Sequence, residues 1–380
     1  MSTIDTTVLE SRETFFSLEQ DWKELYQLKK DTGIFMSWEW ISKWAKYFAG
    51  ENDLFTVVAR DAQGKILGVL PLYKKHRRLF GRDYFYDWYL LGTDSPACSE
   101  QLRILCAKEN EENILEKLVS TAIARIGRFD SLVLPDLKPN TLDIAQYDKV
   151  GRENGLEMRE QEGETCYAVT LPGDWEEFLQ ELSSRFRKDV RQSLKNLHKK
   201  LGSRVVQETG QERVTSVLER LFEISTDRLG EIGIQSNLGR QVMSEFLKEV
   251  VPAMVENGQA WMHTISDGDD IAGVAISFLS NKKVWVYQQS FDPKYGAHKL
   301  GIVLIATIAK QAIENGSEVL DLLRGEYRWK YRWGANPLNT TTLEYINPNS
   351  YAIISRNIYK QGARVYRKLK TMLPVKEASW

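Results

Sequence analysis

The sequence predicts an α/β protein with mixed sheets, built as two tandem units. Two observations carry this. At 380 residues the chain is too long for one average core, which points to two domains. The same order of elements also occurs twice: two β-branched runs joined by a turn, a third run, an amphipathic helix and a short strand. Two copies of such a module imply a mixed sheet in each half.

In chain order, residues 1 to about 50 read as helical. Trp22, Leu25 and Leu28, then Trp38, Ile41, Trp44, Ala45 and Phe48, recur at helical spacing. The runs 54–60 and 66–73 flank Asp61 to Gly64, a hairpin turn; 84–91 is a third strand, 114–126 a helix and 130–134 a fourth strand. In the second half, a strand at 166–171 and two helical stretches precede strands at 260–266 and 271–279, joined through 267–270. Then come a strand at 284–291, a helix from Gly301 to a stop at Asn315-Gly316, and a strand at 319–323. The expected division is 1–160, 161–346 and a basic helical tail, 347–380.

Composition narrows the chemistry. Fifty-one basic against 52 acidic residues give a net charge of −1, which argues against a general polyanion binder. Cys98, Cys106 and Cys166 have neither disulfide-framework nor metal-ligand spacing, and four histidines leave little for a metal site, so no metal is expected. The N-terminus shows no secretory pattern, and the longest apolar run, 300–309, is far short of the ~20 residues that span a bilayer. These features indicate a cytoplasmic protein.

Charge is nonetheless placed locally. Around 185–201, Phe186, Val190, Leu194, Leu197 and Leu201 fall on one helical face, while Arg185, Lys188, Arg191, Lys195 and Lys199 occupy the opposite one. The cationic face is either solvated surface or a reader of an anionic partner: a substrate phosphate, a nucleotide-linked sugar or RNA. The tail mixes Ile353, Ile354 and Ile358 with basic residues, as a docked helix or a peripheral membrane contact would.

The most chemically loaded stretch is 283–332. A strand leads into a turn with Pro293, Gly296 and Gly301, flanked by Lys294, His298 and Lys299, and then into a helix; a helix start of this kind offers N–H groups and a positive dipole end to a phosphate. Asp321 and Glu326 flank the end of the following buried strand, where desolvation can raise a carboxylate's pKa; Asp321 could equally cap or pair with Arg324. Tyr287, Tyr327 and Tyr331 are proton-donor candidates or packing residues.

Several segments resemble the CelD/BioF2-like branch of the GNAT acyltransferase superfamily. They are SWEW at 37–40, GVLPL at 68–72, SSRFRKDVR at 183–191, the turn 296–301 and DLLRGEYRWK at 321–330. The likeness spans about 30–345, although the superfamily's Arg/Gln-x-x-Gly-x-Gly/Ala loop is not cleanly present in 293–301. It implies two GNAT-like folds in tandem, as in FemABX aminoacyltransferases, with acetyl-CoA or another acyl-CoA as donor. The donor would contact Gln289, Lys294, Gly296, His298, Lys299 and Gly301.

Transfer from a thioester needs an uncharged nucleophile, donors for the oxyanion and a proton for the thiolate. On this resemblance Asp321 or Glu326 serves as base and Tyr287 or Tyr331 as acid. Backbone N–H groups of 284–291, where that strand splays from its neighbour, stabilise the oxyanion by about 3 to 4 kcal/mol. Arg185, Lys188, Arg191, Arg324 and Lys330 would hold a sugar, glycolipid or cell-envelope precursor in polysaccharide biosynthesis. The first unit, whose turn 92–96 carries an acid and no base, should bind no cofactor and shape the acceptor cleft. Two rivals stand beside this: a FemABX-like enzyme using aminoacyl-tRNA, the one setting in which nucleic acid is expected, and a catalytically silent accessory protein of polysaccharide synthesis.

Overall fold

The computed structural model describes residues 4–29, 32–79, 82–93, 96–97, 99–127, 130–137, 144–230 and 238–348, with 354, 358, 361 and 362 of the tail. The first part runs β1 (Asp5–Leu9), α1 (Arg12–Phe16), α2 (Glu19–Leu28), α3 (Trp38–Phe48), β2 (Leu54–Arg60), β3 (Ile66–Leu79) and β4 (Arg82–Leu90). It continues with β5 (Leu105–Cys106), α4 (Glu111–Arg125), β6 (Ser131–Leu137), α5 (Ile144–Glu153) and β7 (Glu157–Glu162). The second runs β8 (Cys166–Thr170), α6 (Trp175–Glu181), α7 (Ser184–Leu201), β9 (Val205–Glu208), α8 (Gln211–Gly230), α9 (Gln241–Glu256), β10 (Ala260–Asp267) and β11 (Asp270–Ser280). After these come β12 (Lys283–Phe291), α10 (Leu300–Glu314), β13 (Val319–Arg324), α11 (Arg328–Arg332), β14 (Asn336–Leu338) and β15 (Thr341–Ile346).

Two mixed sheets result. One has the order β1-β2-β3-β4-β6-β15-β7, with β5 on β3; the other is β14-β8-β13-β12-β11-β10-β9. The repeat inferred from sequence is visible in both. In the first, β2, β3 and β4 are antiparallel neighbours and β6 returns through α4 to lie parallel to β4. In the second, β10, β11 and β12 are antiparallel and β13 returns through α10 parallel to β12. No single cut separates the sheets, because β15 pairs with β6 and β7 in the first sheet, and a division at 160/161 runs through β7.

Residues 5–9 are a correction. They form a strand on β2, not part of a helical start. The segment is short, its Asp5, Thr6 and Thr7 followed by Val8 and Leu9 give no polar–apolar alternation, and its partner lies some fifty residues away, so local periodicity carries little sign of it. The charged stretch after β13 contains a short helix, α11.

Packing joins the units. One apolar cluster runs from Phe15, Trp22 and Trp40 through the first sheet to Phe246, Phe278 and Trp285 on one face of the second. The other face of the second sheet packs Val284 and Val286 beneath Phe178, Phe186, Val190 and the apolar side of α10. The two-faced reading of α7 holds: Phe186, Val190 and Leu197 are buried, while Arg185, Lys188, Arg191, Lys195 and Lys199 are exposed. Ser183 caps its start by accepting from Phe186 N at 3.3 Å, and Gly202, at φ 61°, ends it.

Among the described residues, no helix is long and apolar enough to cross a membrane, and no His/Cys/Asp/Glu group could hold a metal ion. The tail expectation lies outside the described residues, apart from the exposed Ile354 and Ile358.

Candidate active site

The parallel ladder between β12 and β13 is short. It covers Lys283↔Val319, Val284↔Leu320 and Trp285↔Asp321, then stops, although β12 continues to Phe291. Beyond that point β12 pairs only with β11, and its register there shifts: Ser277 faces Val286 and Ile276 faces Gln288, leaving Tyr287 as a bulge. Splay and bulge coincide, so the backbone of β12 faces a cleft.

Three buried charges explain why β13 leaves the ladder. Leu323 takes a left-handed φ of 62°, rare for a non-glycine residue, and Gly325 follows at 95°. The N–H of Leu323 donates to Asp321 Oδ1 at 2.8 Å, and that of Arg324 to Glu100 Oε2 at 2.8 Å. The carbonyls of the same two residues accept from Lys330 Nζ at 2.8 and 2.7 Å. Side chains thus satisfy the groups that a continuing strand would give its neighbours. Asp321, Glu100 and Lys330 are 0%, 3% and 2% exposed. Each charge is held: Asp321 Oδ2 is 2.5 Å from Lys283 Nζ and accepts from Gln101 Nε2 at 2.8 Å, and Glu100 Oε1 accepts from Arg324 Nε at 2.7 Å. Burial raises the Glu100 pKa against the pull of Arg324, and lowers Lys330 to about 8.

One side of the cleft opens into a cavity of about 730 Å³ lined by Gln289 and Phe291 of β12, Lys299, Gly301 and Ile302 at the start of α10, Arg185 and Asp189 of α7, and Trp329 and Arg332 of α11. The α10 start has no acidic residue in its first turn and no side-chain cap. Its positive dipole end is therefore not offset locally, an arrangement that suits an anion. Asp189 bridges two cations at the rim, Lys299 Nζ at 3.3 Å and Arg332 Nη2 at 3.0 Å. Inside, Gln289 Oε1 is buried without a hydrogen-bond partner. A donor group has a place there. These features fit a ligand with a phosphate at α10 and a polar arm reaching into the cleft.

A second cavity, of about 860 Å³, lies between the units. Arg77, Asp87 and Tyr89 of the first unit line it together with Arg159 and Glu162 of β7, Tyr167 of β8, and Arg324 and Glu326. Tyr331 sits at its edge, with its hydroxyl 3.0 Å from Glu326 Oε1 and 3.2 Å from Tyr167 OH. The bond to Tyr167 is the larger reason that the Tyr331 phenol titrates above the usual tyrosine range. Since Trp329 and Arg332 line the first cavity, α11 is the partition between the two.

The expected residues sort accordingly. Gln289, Lys299, Gly301 and Arg185 line the first cavity; Arg324 and Glu326 line the second. Lys294, Gly296 and His298 line neither. Lys294 instead reaches an acidic group across the hairpin, 2.5 Å from Asp270 Oδ2 and 3.6 Å from Asp292 Oδ2. Asp321 and Lys330 hold the end of β13, and the Tyr287 hydroxyl donates to Ala97 O at 2.8 Å. Asp321 does not pair with Arg324, whose carboxylate partner is Glu100. Lys188 and Arg191 lie on the solvent side of α7, beside a shallow depression of about 310 Å³, where Arg191 pairs with Glu176. Tyr327 is 58% exposed. Residues not anticipated include Asp189, Arg332, Lys283, Tyr167, Glu100 and Gln101. For Asp189 a signal existed, as the one acid in α7 amid its basic residues.

Comparison with known proteins bears on this geometry. Residues 184–331 match the model of the acetyltransferase (GNAT) domain, a span from the start of α7 into α11 that takes in most of the lining of the first cavity. None of the curated proteins matches the chain. Among solved structures, that of FemX is similar over 90% of this chain and 98% of that one, at 12% identity and a TM-score of 0.62. L-PGS from Bacillus licheniformis is similar over 91% and 96%, at 11% identity and TM-score 0.54. The C-terminal domain of a putative lysylphosphatidylglycerol synthetase from Agrobacterium fabrum is similar over 89% and 94%, at 11% and 0.52. With the repeated hairpin–strand–helix–strand order, the architecture is two GNAT-like units in tandem. Residues 184–331 are therefore similar to a GNAT-type acetyltransferase domain, in a chain that has the fold of FemX.

Proposed function

We propose that the protein transfers an acyl group from acyl-CoA, bound in the cavity at the start of α10, to an amine or hydroxyl of an acceptor held between the two units. The observation that carries this reading is that the end of β12, past its bulge and past its last rung with β13, lines one cavity together with an uncapped helix start. Acyl-CoA bound there supplies an activated thioester carbonyl. Lys299, Arg185 and Arg332 neutralise phosphate charge at the rim. Backbone N–H groups around Tyr287 polarise the carbonyl, and Gln289 Oε1 accepts from an amide N–H on the arm of the donor. Glu326 takes a proton from the nucleophile, and Tyr331, hydrogen-bonded to it, serves the leaving sulfur.

The polar lining between the units suits a sugar, glycolipid or cell-envelope precursor, and the resemblance to the CelD/BioF2-like branch supports a place in polysaccharide assembly in the cytoplasm. The cationic face of α7 favours one second reading, an aminoacyl-tRNA donor whose binding weakens steeply with salt. Calorimetric titration with acetyl-CoA and with CoA, on wild type and a Lys299→Glu/Gly301→Asp variant, tests the first reading. Saturable binding lost in the variant supports it; wild type that binds neither ligand contradicts it.

A further inference from the structure

We propose that Ala97, Ser99, Glu100 and Gln101 of the first unit form a wedge that holds the cleft of the second unit open, making Glu100 and Gln101 positioning residues for the transferred acyl group. This rests on the reading of that cleft as the acyl-CoA site. The wedge touches both strands at the point where they part. On β12, Ala97 O accepts from Tyr287 OH at 2.8 Å and Gln101 Oε1 from Lys283 Nζ at 3.1 Å. On β13, Gln101 Nε2 donates to Asp321 Oδ2 at 2.8 Å, Glu100 Oε2 accepts from Arg324 N at 2.8 Å, and Ser99 O accepts from Arg324 Nη2 at 3.2 Å.

The contacts do more than join two domains. Arg324 N is a group that β13 would otherwise offer to a neighbouring strand, and Glu100 occupies it. Gln101 bridges the side-chain pair between Lys283, on the first rung of the ladder, and Asp321, on the last, and its own backbone is held at a φ of 52°. Such a conformation persists only where its surroundings fix it. Glu100 and Gln101 are 3% and 5% exposed, so water does not compete for these bonds. Without the wedge, β13 is free to drift toward β12 and narrow the slot for the acyl–pantetheine arm. The start of α10, Lys299 and Arg332 lie apart from it. Phosphate binding and arm binding should therefore separate.

The test compares adenosine 3′,5′-bisphosphate, which has the nucleotide phosphates and no arm, with acetyl-CoA, by calorimetry on the full chain. In Glu100→Ala, bisphosphate affinity should stay within about twofold of wild type while acetyl-CoA affinity falls at least tenfold, and Glu100→Gln, which keeps an oxygen acceptor, should recover most of that loss. Gln101→Met preserves volume and leaves the Lys283–Asp321 pair in place, so it serves as a second, better tolerated variant with the same expected split. Wild-type affinity for both ligands in Gln101→Met and Glu100→Ala overturns the wedge, as does equal loss of both in folded variants. Wild type that binds neither ligand overturns the acyl-CoA reading, and the wedge falls with it.

Discussion

Glu100 Oε2 accepts the backbone N–H of Arg324 at 2.8 Å across 224 residues of sequence. A carboxylate of one unit thereby ends a strand of the other. With Lys330 on the carbonyls and Asp321 on the preceding N–H, it turns a sheet defect into a cleft. The same charges make the site sensitive to substitution, because breaking a buried pair leaves an uncompensated group behind.

Lys330 should reveal itself through pH. Burial lowers its pKa to about 8 from the ordinary 10.5. Between these values the unfolded chain binds a proton that the folded chain has released, so this group makes stability rise with pH, by up to ~1.4 kcal/mol per unit. Below pH 8 both states are protonated, and the group contributes no slope. Denaturant unfolding at pH 7 to 10 should show this rise in wild type and not in Lys330→Met. Parallel curves would mean that the ammonium is not held as described.

Asp189 sets two cations at the rim of the first cavity, where a phosphate would compete with its carboxylate. Exposed pairs of this kind are each worth ~0.2 to 1 kcal/mol. Asp189→Asn should therefore tighten CoA binding by about two- to fivefold at low salt, with the gain shrinking as salt is added. Weaker binding in the variant would show instead that the carboxylate is needed to orient Lys299 and Arg332.

Gly301 offers a graded probe of the α10 start. A Cβ there meets Phe291 Cε1 at 3.4 Å, ordinary contact, so Gly301→Ala should bind CoA within a few-fold of wild type. Gly301→Asp places an anion in the first helical turn, which stabilises the helix end but repels a phosphate. Loss of CoA affinity by more than tenfold with an unchanged or raised melting temperature is the expected pair of results.

Gln289 carries a buried oxygen without a partner. Gln289→Leu removes that oxygen, so melting temperature should rise slightly while acetyl-CoA affinity falls. Both quantities falling together would assign Gln289 to the fold alone.

How much of this was legible in the sequence depends on the range of the interactions. The hairpins around 61–64 and 267–270, the helix stop at Asn315-Gly316 and the two faces of α7 are local, and they stand where periodicity and turn chemistry put them. The exchange of β15 into the first sheet and the edge strand β1 depend on partners far along the chain, to which local pattern is blind. The site divides in the same way. Gln289, Lys299 and Gly301 follow from a strand leading to a helix. Lys294, three residues after Phe291, looked equivalent by charge but turns toward Asp270. Asp321 was marked by its position at a strand end, yet its partners Lys283 and Gln101 come from another strand and another unit. No motif joins Glu100 to Arg324; only folding does.

Amide hydrogen exchange with and without acetyl-CoA tests the central claim most directly, because it reads the backbone of the cleft itself. The account predicts new protection at 286–289 of β12 and 300–303 of α10, with little change in the distant β2–β3 hairpin. Protection confined to residues lining the cavity between the units, with the cleft and the α10 start unaffected, would contradict it.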